Sequence, residues 1–188
     1  TVSGPHTEMV YEVSGVVECE DYCGVVAGLV SPSPPRVFLK ETPQTTPDEA
    51  IADLARSISA TDNLKRMHAL AEAIRDRVDY QVGVTEAHTG AAEALTAGKG
   101  VCQDHAHVFI AAARVLGVPA RYVTGYLAKD TPEPAEAHHA WAESWIEGLG
   151  WVGFDVANRI CPTDSYVRLA VGLDAGTAAP IVGSRRGG

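Results

Sequence analysis

The sequence predicts an α+β domain, with helices first and an antiparallel sheet after them. Helical periodicity and capping signals fill the region from Thr46 to Gly117, and strand-like runs dominate from Pro119 onward. The two kinds of element do not alternate, which argues against a doubly wound parallel sheet. With 188 residues, 46% of them hydrophobic, the chain can bury a substantial core in one domain with a small appendage.

Residues 7–18 partly alternate apolar with polar, the pattern of a half-buried strand, and 22–30 form an apolar, glycine-containing run of ambiguous type. Ser31-Pro32-Ser33-Pro34-Pro35 reads as an extended linker, because proline fixes the backbone and removes donors. The expected boundary therefore separates a truncated N-terminal β appendage, residues 1–35, from the main domain, residues 36–188. Thr1 opens in what reads as mid-strand sequence, as in a trimmed fragment. Lys40 to Thr45 reads as loop. Thr46-Pro47-Asp48-Glu49 is a helix start with Thr46 as cap, Pro47 at the first helical position and Glu49 completing a capping box. Its apolar stripe is Ile51, Leu54, Ala55 and Ile58. A second helix starts near Thr61 or Asp62, with Leu64, Met67, Ala71, Ile74 and Val78 on one face and His68 at the surface. Tyr80 to Thr85 reads as a short extended segment, and Thr89 to Ala97 as an alanine-rich helix running into a glycine turn.

The central helix begins at Cys102. Ala106, Phe109, Ile110, Ala113 and Leu116 recur at three- and four-residue spacing, Gly117 suits the C′ position and Pro119 forbids continuation. Pro119 to Leu127 is β-rich, and Lys129 to Ala137 is a polar, proline-containing stretch expected to be a mobile loop. His139 to Ile146 and Trp151 to Val156 read as two strands joined by the hairpin link Glu147-Gly148-Leu149-Gly150. Tyr166 to Leu173 is the last expected strand, and the Gly/Arg-rich tail from Gly183 is expected to fray.

The formal net charge of −9 opposes binding to nucleic acid or anionic membranes, and no Lys/Arg run contradicts it. No stretch has the length of a membrane span, and no charged-then-apolar leader pattern is present. Cys19, Cys23, Cys102 and Cys161 fit no common disulfide framework, which favours a reducing, cytoplasmic setting. Cys19-x-x-x-Cys23 reads as two unrelated half-buried thiols.

Three residues carry the chemistry. Cys102 sits in the first turn of its helix, where unpaired N–H groups and the dipole favour a thiolate. Alone it reads first as a small core residue. In the hairpin, His139, Trp141, Glu143 and Trp145 share one strand face, and Trp151, Gly153 and Asp155 share one face of the other. Setting Trp145 opposite Trp151 puts Trp141 across from Asp155 and His139 diagonal to it, within hydrogen-bond reach. A one-residue slip would separate them onto opposite faces. A cysteine, an imidazole that takes and returns its proton, and a carboxylate that fixes the ring tautomer make an acyl-transfer site.

The segments Gly100-Val101-Cys102-Gln103-Asp104-His105-Ala106-His107, Pro119 to Tyr126, His139-Ala140-Trp141-Ala142-Glu143 and Gly150 to Asp155 together resemble the bacterial transglutaminase-like family. The resemblance covers roughly residues 47–183. It implies a papain-like α+β transglutaminase core with Cys102 as nucleophile, His139 as base and Asp155 as orienting acid. Similar sequences more often carry an aromatic such as Phe at the position of His105, and Pro-Thr-Asn where this chain has Val156-Ala157-Asn158. Family members include peptidases, amidases and acyltransferases, so the likeness fixes the chemistry better than the substrate.

The expected function is thioester-mediated acyl transfer on amide bonds of peptides or proteins, hydrolytic in outcome, with no cofactor. The alternatives are a protein-glutamine acyltransferase, cross-linking or deamidating, and a non-catalytic interaction module on the same fold. A metal site is disfavoured by geometry. His105 and His107 are two apart on a helix, and His138 and His139 face opposite sides of a strand.

Overall fold

The computed structural model describes residues 8, 10, 14–29, 32–128 and 138–180. Two short 3₁₀ turns, Pro35–Leu39 and Pro43–Thr45, lead into helices α1 (Glu49–Ser57) and α2 (Asn63–Arg75). Strand β1 (Asp79–Tyr80), helix α3 (Ala91–Ala97) and strand β2 (Lys99–Gly100) precede the central helix α4 (Cys102–Val115). Four strands follow: β3 (Ala120–Leu127), β4 (His138–Ile146), β5 (Gly150–Phe154) and β6 (Tyr166–Gly172). They form one antiparallel sheet in the order β5-β4-β3-β6, while β1 and β2 pair in parallel. The α+β expectation holds.

Alternation along β4 divides the sheet into two faces. Ala140, Ala142 and Ile146 join the helix-side core with Phe109, Ile110, Ala113, Met67, Leu70 and Ile74. On the other face Trp141, Val123 and Tyr166 make a second, smaller cluster. Arg121 lies there too, its guanidinium 3.8 Å from the Trp151 ring centroid and paired with buried Glu143 at 2.6 Å. Glu143 also accepts from Arg168 at 2.7 Å, so the buried carboxylate is satisfied from two sides.

Helix α4 is closed as expected. Leu116 is the C-cap, Gly117 takes φ +73°, and the Gly117 and Val118 N–H groups return to the Arg114 and Ala113 carbonyls. Near this end buried Arg114 donates to the carbonyls of Phe38 (2.8 Å), Ala120 (3.0 Å) and Leu173 (2.8 Å) and to the Thr45 hydroxyl (2.6 Å). One side chain thus ties α4 to the entry turns and to both ends of the sheet segment.

Several sequence expectations are corrected. The cap of α1 is Asp48, whose carboxylate accepts from the Ile51 N–H, and not Thr46, whose hydroxyl donates to the Thr42 carbonyl. A carboxylate at Asp48 reaches the orphan Ile51 N–H directly, so the helix begins two residues later. Of the expected strand 7–18, residues 7, 9 and 11–13 lie outside the described residues; residues 14–18 are exposed and form no strand, since among the described residues none supplies a ladder to them and Val16 and Val17 stay in solvent. The extended segment after α2 is only Asp79–Tyr80, limited by the two residues of β2 available to pair with it. Strand β5 ends at Phe154 rather than Val156. Asp155 turns its carboxylate onto the Asn158 N–H (3.2 Å) and closes a tight loop by an isolated bridge to Ile160. Leu70, outside the expected stripe of α2, is fully buried. The loop 129–137 and the tail from Gly183 lie outside the described residues.

Candidate active site

The turn that presents Cys102 is fixed by Asp104. Its Oδ2 accepts from the Val101 N–H and from the Thr85 hydroxyl, each at 2.7 Å. An acidic side chain at the third helical position thereby satisfies the N-cap donor and complements the dipole. Gly100 makes this possible, since a Cβ there would stand 2.6 Å from the Asp104 side chain. Gly98, in the left-handed region at φ +65°, caps α3 immediately before.

His105 braces the same turn from behind. Its ring is fully buried, with Nδ1 2.8 Å from the Val101 carbonyl and Nε2 2.9 Å from the Val78 carbonyl. An apolar ring at this position could not make those two contacts, so here the extra imidazole clamps the start of α4 to the end of α2. His107 points into the core instead. Its Nε2 accepts from the Ala175 N–H at 3.1 Å, and burial pushes its pKa down to about 4 despite the opposing charge of Asp174. The two histidines therefore diverge, and both are engaged by the backbone.

The hairpin register is the one expected. Trp145 pairs with Trp151, Ile146 with Gly150 and Glu143 with Gly153. His139 Nε2 donates to Asp155 Oδ2 at 2.6 Å, and the pair is almost completely shielded from water. The Cys102 sulfur lies near enough to the same imidazole for its hydrogen-bonding and charge to raise the ring's pKa. With Nε2 committed to Asp155, Nδ1 is the nitrogen left for the sulfur. The structure thus brings Cys102, His139 and Asp155 together.

Electrostatics at the ring oppose one another. Burial pulls the His139 pKa down, while the hydrogen bond and charge of Asp155, together with those of Cys102, raise it to about 9. The imidazolium is then the resting form at neutral pH. Burial also pushes Asp155 up, but bonds from His139, Tyr166 and Asn158 hold it below the ordinary carboxylate value.

Two of those partners escaped the sequence reading. The Tyr166 hydroxyl and the Asn158 Nδ2 each donate to Asp155 Oδ2 at 2.7 Å. Tyr166 comes from β6, eleven residues on, and its ring meets His139 edge-on with centroids 5.9 Å apart. Trp141 stacks on the imidazole with centroids 6.4 Å apart and meets the Tyr166 ring edge-on at 5.4 Å, so the three rings pack against one another. Burial, and then the charges of Cys102 and Asp155, raise the Tyr80 pKa. Asn158 sat within the departure from the usual Pro-Thr-Asn run, but Tyr166 carried no signal beyond strand periodicity. Among the described residues no three His, Cys, Asp or Glu side chains converge as a metal would need.

Comparison with known proteins gives concordant results. Residues 52–156 match the model of the transglutaminase-like superfamily. An uncharacterised protein of Mycobacterium leprae is 31% identical over 201 residues, covering 95% of this chain and 68% of that one. An uncharacterised protein of Mycobacterium tuberculosis is 34% identical over 150 residues, covering 71% of this chain and 48% of that one. Among solved structures, a candidate cysteine protease from Cytophaga hutchinsonii superposes with a TM-score of 0.68 at 31% identity, over 85% of this chain and 55% of that one. The periplasmic domain of TgpA from Pseudomonas aeruginosa gives 0.50 at 25% identity, over 66% and 47%. The chain thus spans about half the length of the Mycobacterium tuberculosis and Cytophaga relatives, and about two thirds of the Mycobacterium leprae one.

Proposed function

The chain belongs to the transglutaminase-like superfamily, and from that premise we propose that it is a thiol-dependent acyl-transfer enzyme that hydrolyses amide bonds of peptides or proteins. The Cys102 thiolate attacks the carbonyl carbon, and the backbone N–H of Cys102 contributes to stabilising the developing oxyanion. As the tetrahedral adduct collapses, the C–N bond breaks and the His139 imidazolium gives its proton to the leaving amine. The neutral imidazole then takes a proton from water, the hydroxide equivalent attacks the thioester, and the carboxylic product leaves with thiolate and imidazolium restored. Asp155 keeps one ring tautomer and stabilises the imidazolium throughout.

The observation that carries this reading is one imidazole that is bonded to the buried Asp155 carboxylate and whose protonation the neighbouring Cys102 sulfur favours. The likeness to the Cytophaga candidate protease favours water as the final acceptor. The test is mass spectrometry of a peptide library incubated with the native chain and with Cys102→Ala, with and without a primary amine. Cleavage by the native chain alone, independent of the amine, is expected. Amine incorporation or glutamine deamidation without cleavage would replace hydrolysis by glutamine acyl transfer. A library left unchanged by both proteins would leave a binding module as the better reading.

A further inference from the structure

The segment before the proline linker is held along the free edge of β5. Gly153 N–H donates to the Gly24 carbonyl (2.8 Å), Val26 N–H donates to the Trp151 carbonyl (2.9 Å), and Val25 bridges to Val152. The chain returning from the Asp155 turn crosses the same place. Pro162 sits over Gly153, where a Cβ would meet its ring at 2.8 Å. At the crossing, Cys161 Cβ lies 2.5 Å and its sulfur 3.3 Å from where a Gly24 Cβ would stand.

Cys23, the residue before Gly24, is exposed and held at φ +53° in a turn whose N–H donates to Asp21 Oδ1 at 2.7 Å. A non-glycine residue in that region is uncommon and costs conformational energy. Through Gly24, Cys23 neighbours Cys161, whose pKa is raised by burial and then by the charge of Cys23. Cys19 is placed differently, its sulfur 3.8 Å from the Tyr166 carbonyl.

We propose that Cys23 and Cys161 form a reversible disulfide, a modification site that fastens this segment to the turn behind Asp155. The oxidant is a low-molecular-weight disulfide. The exposed Cys23 thiolate attacks one of its sulfurs, releasing one small thiol and leaving a mixed disulfide. The Cys161 thiolate then attacks the Cys23 sulfur and expels the second small thiol. Two protein thiols are oxidised, one small disulfide is reduced to two thiols, and the catalytic sulfur takes no part. In a reducing compartment the pair rests as thiols and closes under oxidative challenge. Because the link closes a long loop through the sheet, it stabilises the native chain.

The experiment incubates Cys102→Ala chain, which removes the competing sulfur, with oxidised glutathione and maps tryptic peptides without reduction. The peptide carrying Cys19 and Cys23 is expected to be linked to the Ile160–Arg168 peptide. The link should persist in a further Cys19→Ser variant and vanish in Cys23→Ser and Cys161→Ser variants whose circular dichroism is unchanged. The oxidised chain should melt roughly 5 °C or more above the reduced one. A glutathione adduct left on Cys23 with no link, or a link that needs Cys19, would overturn the proposal. Neither result touches the acyl-transfer reading.

Discussion

Replacing Asp155 by Asn preserves the side-chain shape and removes its charge, so it isolates what the carboxylate does for His139. In the native site the His139 pKa is raised from 6.5 to about 9. At pH 7 the ratio of imidazolium to imidazole is then about 100 to 1, and at the ordinary value it would be about 1 to 3. Burial remains in the variant, and it acts against the charged ring. The His139 ring resonances should therefore titrate near 6.5 or below, and the upper inflection of Cys102 alkylation by iodoacetamide should move with them. Turnover should fall by roughly 10²–10⁴, the effect of losing the group that fixes a catalytic imidazole. Stability follows with a defined sign. The raised His139 pKa contributes stability that is complete below 6.5 and lost as pH rises through about 9. The lowered Asp155 pKa contributes stability present above 3.8 and lost as pH falls. The native chain should therefore exceed the variant by the most between about pH 4 and 6.5. The margin is on the order of 2–3 kcal/mol, discounted for the solvent-facing side of the ring. A variant whose His139 still titrates near 9 would refute the reasoning, because the carboxylate would then not be what holds the proton.

Tyr166→Phe removes one of three donors to Asp155 Oδ2 and should cost about 1–2 kcal/mol in chemical denaturation. It should also move the acid loss of stability to higher pH, since a less hydrogen-bonded Asp155 carboxylate is easier to protonate. His107, with its pKa lowered to about 4, binds its proton more weakly folded than unfolded. The native chain should lose stability as pH falls from 6.5 toward 4, by on the order of 3 kcal/mol; His107→Gln should flatten that slope in urea titrations at several pH values, even if it lowers the curve as a whole. Arg114→Met strands three carbonyls and a hydroxyl that the guanidinium now satisfies, and a loss of about 3–5 kcal/mol is expected in the same assay.

The amino-acid sequence alone determined the α-then-β order, the span of the central helix and the hairpin register. Each follows from near-neighbour chemistry: three- and four-residue spacing ahead of Gly117, and alternation around Glu147-Gly148-Leu149-Gly150 that only one pairing of Trp145 with Trp151 satisfies. His139 and Asp155 were legible for the same reason, since they lie sixteen residues apart across one hairpin. Tyr166 was not, because it reaches Asp155 from β6, three places away from β5 in the sheet order. Nor was the clamp of His105 on Val78, or the four-way grip of Arg114, since each joins segments distant in the chain. Local patterns record which face a side chain takes. Which distant groups it meets there, and hence the protonation of His139 and the shielding of Asp155, is decided only when the layers pack and water is excluded between them.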